Sequence, residues 1–354
     1  MATNCRFLLN YLISAQFLSM STIILAIESS CDETSVAILK DGHILSNIIA
    51  SQDIHKKYGG VVPELASRAH LQNIIPVIDQ SVTEAEINKK QISAIAFTRG
   101  PGLLGALIVG TSFAKALALG LDKPLIEVNH MQAHILAHFI DEPKPEFPFL
   151  CLTVSGGHTQ IVLVRDYLDM EVIGETLDDA AGEAYDKSAK LLGLDYPGGP
   201  LIDALAKIGD ETKFNFAKST VAGLNFSFSG IKTSILYFLK KELAKNPGFI
   251  EENKNDLAAS IQKSINTMLV EKLETAACEN NITRLALAGG VSANSGLRLQ
   301  IDTLAVKNNW QTFFPAIEYC TDNAAMIAMA GYIKFNQQQF VGLDIAPLAR
   351  MPFI

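Results

Sequence analysis

The chain has 354 residues, 49% hydrophobic and 19% charged, a composition that fits a globular protein long enough for two cores. Lys and Arg number 29 against 37 Asp and Glu, which excludes a general nucleic-acid coat and leaves any RNA partner to local contacts or to help from other proteins. The five cysteines, at 5, 31, 151, 278 and 320, are odd in number and contain no Cys-x-x-Cys pair, which excludes a disulfide framework or thiolate zinc site and fits a reducing, cytoplasmic setting.

From the start of the chain, Phe7 to Met20 is mildly apolar, but it is too short for a membrane span, is interrupted by Asn10 and Gln16, and lacks a small-residue cleavage site. No export signal and no membrane partner are expected. Because Met20-Ser21-Thr22 directly precedes the first strand, residues 1–21 are expected to be an N-terminal extension, with translation starting at Met20.

Ile23 to Glu28, Ser35 to Lys40 and His43 to Ala50 read as a three-strand meander, with Ser29 to Thr34 and Asp41-Gly42 as its turns. A helix over Pro63 to Ser81, a strand over Ala94 to Thr98, a helix over Leu103 to Gly120 and a strand over Leu125 to Val128 follow. The same grammar returns with strands Phe149 to Val154, Gln160 to Val164 and Met170 to Glu175. After them come helices Gly182 to Leu192, Ser229 to Leu243 and Asp256 to Asn280, strand Arg284 to Ala288, helix Asn294 to Lys307, and a last helix from Asp322. The duplication predicts an α/β protein of two mixed-sheet domains facing across a cleft. Residues 22–129 with about 323–354 form the first domain and 130–322 the second.

His130 and His134 follow the strand at Leu125 to Val128 at a spacing that puts two imidazoles on one helix face, where they can chelate one ion. Chance can produce the same pattern, as the pair His134 and His138 shows. A zinc peptidase would need a glutamate directly after the first histidine, and Met131 stands there. Asp322, at the start of the last helix, reads either as an N-cap or as a third ligand, and two nitrogens with one oxygen suit iron or zinc.

Three glycine-rich or hydroxyl-rich turns could hold phosphate or an adenosine: Ser29 to Thr34, Ser155-Gly156-Gly157-His158-Thr159, and Ala288-Gly289-Gly290-Val291-Ser292-Ala293-Asn294. Each alone also reads as a plain turn. Asp195 to Pro200, with Asp203 one turn on, has the same character, and no P-loop run exists.

Together these residues carry a resemblance. Glu28-Ser29-Ser30-Cys31-Asp32-Glu33-Thr34, Gly59-Gly60-Val61-Val62-Pro63-Glu64-Leu65-Ala66-Ser67-Arg68, Gly100-Pro101-Gly102-Leu103-Leu104-Gly105, Ser155 to Thr159, Asp178 to Glu183, Phe226 to Gly230, Ala288 to Asn294 and Cys320 to Asn323 resemble the universal tRNA threonylcarbamoyladenosine transferase family. The likeness runs from about Ile23 to Pro347. It implies the duplicated fold of actin, Hsp70 and sugar kinases, with a nucleotide cleft between the halves. It also implies an acyltransferase that moves a threonylcarbamoyl group from threonylcarbamoyl-adenylate to N6 of the adenosine 3′ of the anticodon, in tRNAs reading codons that begin with A. AMP is released.

By the same resemblance His130, His134 and Asp322 hold one divalent ion, Fe2+ with Zn2+ or Mg2+ as alternatives. Thr153, Val154, Ser155, Gly156, Gly157, Asp186, Gly199, Asp203 and Asn294 bind the adenylate. Asp32 or Glu33 is expected to take the proton from the attacking amine. In bacteria the family works with a non-catalytic paralogue of the same fold and a small P-loop ATPase, and the paralogue is expected on the apolar helix Leu103 to Leu119. The family usually reads His-Met-Glu-Gly-His, and this chain has Gln132 and Ala133 between its histidines.

Asp186 to Lys245 holds nine lysines against six acids, with Phe214, Phe216, Phe226 and Phe228 interspersed, and reads either as an RNA contact including Lys232 or as a solvated face over core phenylalanines. The rival function is an ATP-dependent kinase or ATPase of the same fold, against which the histidine pair discriminates because such kinases use carboxylates and magnesium.

Overall fold

The computed structural model describes residues 21–353 except 218 and 220, so the expected extension lies, but for Ser21, outside the described residues. The first half gives strands β1 (Ile23–Glu28), β2 (Thr34–Lys40) and β3 (His43–Ala50), helix α1 (Pro63–Glu84), strand β4 (Ala94–Gly100), helix α2 (Leu104–Leu121) and strand β5 (Leu125–Asn129). Every residue of β1 is buried, which is why its sequence is a continuous apolar run rather than an alternation: both faces of the sheet are covered. Helix α2 is by length and composition apolar enough to cross a membrane, but here it packs on β4 and α1, with Ala106, Leu107, Val109 and Ala114 turned inward.

The second half opens with α3 (His130–Leu136) and continues with β6 (Phe149–Val154), β7 (Thr159–Asp166), β8 (Asp169–Glu175), α4 (Ala181–Leu191), α5 (Gly198–Ala206), α6 (Ser229–Leu243) and α7 (Phe249–Asn280). Strand β9 (Arg284–Ala288), helix α8 (Ser295–Asn308), strand β10 (Gln311–Phe313) and helix α9 (Ala324–Asn336) complete it. The two five-stranded sheets have the orders β3-β2-β1-β4-β5 and β8-β7-β6-β9-β10. In each, the first strand pairs antiparallel with the second and parallel with the fourth, so the duplication extends to strand direction.

Four details differ from the sequence expectation, the first being the short edge strand β10, which pairs parallel with β9. Gly198–Ala206 is helical, because Pro200 sits in the first turn, where its missing N–H costs nothing, and Asp186 accepts the Gly198 N–H at 2.8 Å. Helix α7 reaches back to Phe249 across a non-helical Asn253 (φ −125°, ψ 16°). The last helix begins at Ala324 rather than Asp322, since Asn323 is the residue whose side chain accepts the Met326 N–H.

One apolar cluster spans both sheets, joining Ala26 and Val128 of the first to Cys151, Val162 and Ala288 of the second through α3 and α9. Helix α9 lies on β1, β2 and β4. The approach is close at Gly331, where an added Cβ would stand 2.6 Å from the Ala96 Cβ. We expect Gly331→Val to lower the unfolding free energy by about 1–3 kcal/mol through overpacking. A urea midpoint unchanged from the parent would show that α9 is not seated so tightly.

Candidate functional site

Strand β5 ends at Asn129, whose side chain accepts the N–H groups of Met131 (2.9 Å) and Gln132 (3.2 Å) and so starts α3 at His130. The first-turn position of His130 and the i+4 position of His134 bring the two rings edge to face, with centroids 4.7 Å apart. Asp322 Oδ1 lies 3.3 Å from His130 Nε2 and 3.1 Å from His134 Nε2. One ligand atom from each of the three residues falls within 4.8 Å of the others. Asp322 is not a cap: Asn323 takes that role, which leaves the carboxylate free to face the imidazoles.

Burial alone would depress His130, but Asp322 and Glu28 on either side outweigh it and raise its pKa well above the ordinary imidazole value. Burial would likewise raise Asp322, and the two histidines hold it far below the carboxylate range instead. The site thus gathers negative charge around a place that must carry a positive one. Two imidazole nitrogens and a carboxylate oxygen converging there are a donor set that fits a divalent transition ion.

Glu28, at the buried end of β1, is the functional residue that sequence reasoning missed. Its Oε2 lies 3.2 Å from His130 Nδ1 and accepts the Thr98 hydroxyl, while Oε1 accepts the Ser30 N–H. A carboxylate behind a ligating histidine fixes the ring and its tautomer and raises its basicity. The signal was a single acid closing an otherwise apolar strand. His70 on α1 was also missed: fully buried, it bonds Thr34 Oγ1 at 2.8 Å and the Cys31 carbonyl at 3.0 Å, so it braces the turn that carries Asp32 and Glu33.

A cleft of about 900 Å³ between the two halves is lined by His130 and Asp322, by Asp32 and Glu33, and by Ser155, Gly156, Gly157, Asp186, Gly199, Asp203 and Asn294. Thr153 and Val154 do not join them: both are fully buried within β6, and Thr153 donates its hydroxyl to the Gln160 carbonyl. His134 is also buried, reaching Asp322 from behind the wall. Under the glycine turn, the N-terminus of α4 approaches so closely that a Cβ on Gly182 would stand 2.5 Å from the Ser155 carbonyl oxygen. Added Cβ atoms on Gly156 and Gly157 would meet nothing within 4 Å, so the turn is open toward the cleft above a helix N-terminus, a setting that favours anions.

Asp186, Asp203 and Asn294 already have structural work. Asp186 accepts the Gly198 N–H, Asp203 accepts the Ser295 hydroxyl at 2.8 Å, and Asn294 caps α8 through the Leu297 N–H at 2.8 Å. They tie α4, α5 and α8 into one wall. Glu33 is pushed up to about 9, by burial first and then by Asp322 and Asp32. His158 is pushed down to about 4 by burial and by the neighbouring histidines, and is neutral. The phenylalanines expected as a possible RNA surface are core residues: Phe216, Phe226 and Phe228 are buried, and Phe214 packs on Phe238 and Phe249.

The sequence model of the tRNA N6-adenosine threonylcarbamoyltransferase family matches residues 43–329. The chain belongs to that family. A tRNA N6-adenosine threonylcarbamoyltransferase of Christiangramia forsetii is 60% identical over 93% of this chain and 98% of its own length. Those of Cytophaga hutchinsonii (58%, 94% and 97%) and Thermosipho africanus (54%, 89% and 95%) are similar in the same way. Among solved structures, HypF of T. kodakarensis superposes with a TM-score of 0.61 at 14% identity, over 93% of this chain and 50% of that one. Component A of Acidaminococcus fermentans (R)-2-hydroxyglutaryl-CoA dehydratase gives 0.52 at 15%, over 89% and 99%. At those identities the likeness is one of fold, the duplicated actin-like architecture.

Within the transferase family's site, Glu28 is the residue whose role is simplest to isolate. We expect Glu28→Gln to weaken Zn2+ or Fe2+ affinity about 10–100-fold while the circular dichroism spectrum is retained. Unchanged affinity in a chelator competition would mean that Glu28 does not orient His130.

Proposed function

We propose that the protein transfers a threonylcarbamoyl group from threonylcarbamoyl-adenylate to N6 of the adenosine 3′ of the anticodon in tRNAs that read codons beginning with A. The observation that carries this reading is the meeting, on one cleft, of His130 and Asp322, with His134 behind them, and the open Ser155 to Gly157 turn, in a chain of this family. The turn receives the phosphate of the adenylate, and Asp186, Gly199, Asp203 and Asn294 wall its adenosine. Thr153 and Val154 act from within β6 by holding the turn in place.

In the reaction the N6 amine attacks the carbamoyl carbon, a C–N bond forms, and the carbonyl-to-phosphate bond breaks with its electron pair leaving on AMP. An ion held by His130, His134 and Asp322 would supply Lewis-acid polarisation of the phosphate or carbonyl oxygen, and Fe2+ suits the donors, with Zn2+ and Mg2+ as alternatives. Asp32 accepts the amine proton in this reading, with Glu33 beside it in the same turn as the alternative base. Excluding water and holding the two substrates in line supply the rest of the rate.

The domain division at 22–129 with about 323–354, against 130–322, fits a first sheet that receives the last helix. The paralogue is proposed on the exposed face of α1 and α2, where Leu71, Ile75, Leu104, Ile108 and Leu119 are open to solvent, with the small P-loop ATPase acting alongside it in the cytoplasm. Gln132 is buried within α3, so the neutral amide avoids the cost that a glutamate would meet there.

We expect the chain with its partner proteins, threonylcarbamoyl-adenylate and tRNA to yield threonylcarbamoyladenosine by mass spectrometry, and a His130→Ala, His134→Ala variant to lose at least about 100-fold in rate. Equal product from both would overturn the metal assignment, and ADP release without modified adenosine would favour an ATPase. Asp32→Asn is expected to lower turnover about 100-fold with adenylate binding intact, consistent with loss of a general base. Near-normal turnover would remove Asp32 from that role.

A further inference from the structure

A second cavity, of about 760 Å³, lies against the same helix that carries the histidines. Pro101, Gly102 and His158 line both this cavity and the main cleft, and Met131, next to His130, lines the second one. Its opposite side comes from the second sheet, where Gln160 of β7 and Glu175 of β8 are directly paired neighbours. The C-terminal segment Ala349 to Phe353 lines it as well.

That segment is fixed to the first half. Leu348 donates its N–H to the Arg99 carbonyl at 2.9 Å, Gly102 donates to the Ala349 carbonyl at 3.2 Å, and the Asn129 side chain donates to the Pro352 carbonyl at 3.0 Å. Asn129 is the cap of the helix that carries the two histidines, so one side chain positions both α3 and the cavity wall.

The chemistry of the lining is that of a nucleobase site. Met131, Val172, Met351 and Pro352 offer apolar surface to a flat ring, and His158, Gln160, Glu175, Asn225 and Arg350 set polar groups around it. The Gln160 amide oxygen is buried and has no hydrogen-bond partner among the described residues, so rotation of this side chain can bring an unmet amide edge to a ligand. Arg350 is exposed and makes no ion pair among the described residues. The volume suits one nucleoside, not a duplex.

Transfer between two large substrates needs two sites that meet at the reacting carbon. The adenylate occupies the first cleft, so the amine must reach it across the common wall at Pro101, Gly102 and His158. We infer that the second cavity receives the acceptor nucleoside of the RNA, turned out of its loop, with the Gln160 amide reading the base edge and Arg350 meeting a flanking phosphate. The inference rests on the transfer reading proposed above. Recognition of a splayed base by an apolar slot and a few edge contacts is the usual way in which proteins read single-stranded RNA.

The test has two arms. In the first, Gln160→Leu and Arg350→Ala are assayed with the partner proteins: each is expected to raise the KM for tRNA roughly tenfold while the affinity for threonylcarbamoyl-adenylate is unchanged. Parental KM values in both variants, or loss of adenylate affinity, would overturn the assignment. In the second, a photo-crosslinking benzoylphenylalanine replaces Met351, and the expected adduct is with tRNA, competed by an excess of the anticodon stem-loop. An adduct with a partner protein instead would overturn it. If tRNA crosslinks here but the parent protein makes no threonylcarbamoyladenosine, the RNA site stands and the transfer reading falls.

Discussion

The cleft depends on one buried electrostatic arrangement: two imidazoles on α3 facing Asp322, with Glu28 behind the first of them. Carboxylates taken out of water at this depth are costly unless a positive charge stands between them. A proton on His130 or a bound cation can meet that demand, and the geometry brings two Nε2 atoms and one carboxylate oxygen to the same spot for the purpose. The residues involved lie at positions 28, 130, 134 and 322, so the arrangement exists only when both halves of the chain have folded and docked.

The duplication explains how this comes about. Each repeat contributes the same five-stranded order, and in each the segment after the last strand leads to the His130, His134 and Asp322 cluster: α3 directly after β5, and the approach to α9 after β10. Asparagine caps set both positions. Asn129 fixes the first turn of α3, so that His130 is its first residue, and Asn323 starts α9, so that Asp322 stands just outside it and keeps its oxygens free. What distinguishes the two repeats is the turn between their first two strands. The first is rich in carboxylates and the second in glycines, and both line the cleft.

Close backbone approach supports that second side. Helix α4 can press its N-terminus under the Ser155 turn because Gly182 has no Cβ to collide with the Ser155 carbonyl. Asp186 and Asp203 then pin the starts of α5 and α8 beside it. The cleft wall is therefore built from helix termini whose first N–H groups are met by side chains, Asp186 at α5 and Asp203 and Asn294 at α8.

Strand runs, the repeated meander and the i, i+4 histidines were legible because each is a local pattern, set by hydrophobic periodicity and helical geometry within a few residues. The sequence by itself thus determined most of the element order, the duplication and the i, i+4 histidine pair. It did not reveal that Glu28 stands behind His130, that His70 braces the first turn, or that Thr153 and Val154 face the core instead of the cleft. Nor did it settle whether Asp322 caps the last helix, since a carboxylate at a helix start favours that role and only the placement of Asn323 shows that another residue takes it. Those decisions belong to the tertiary structure, because they depend on contacts between residues far apart in the chain, and on which side of a fully buried strand an atom falls, a distinction that a continuous apolar run does not encode.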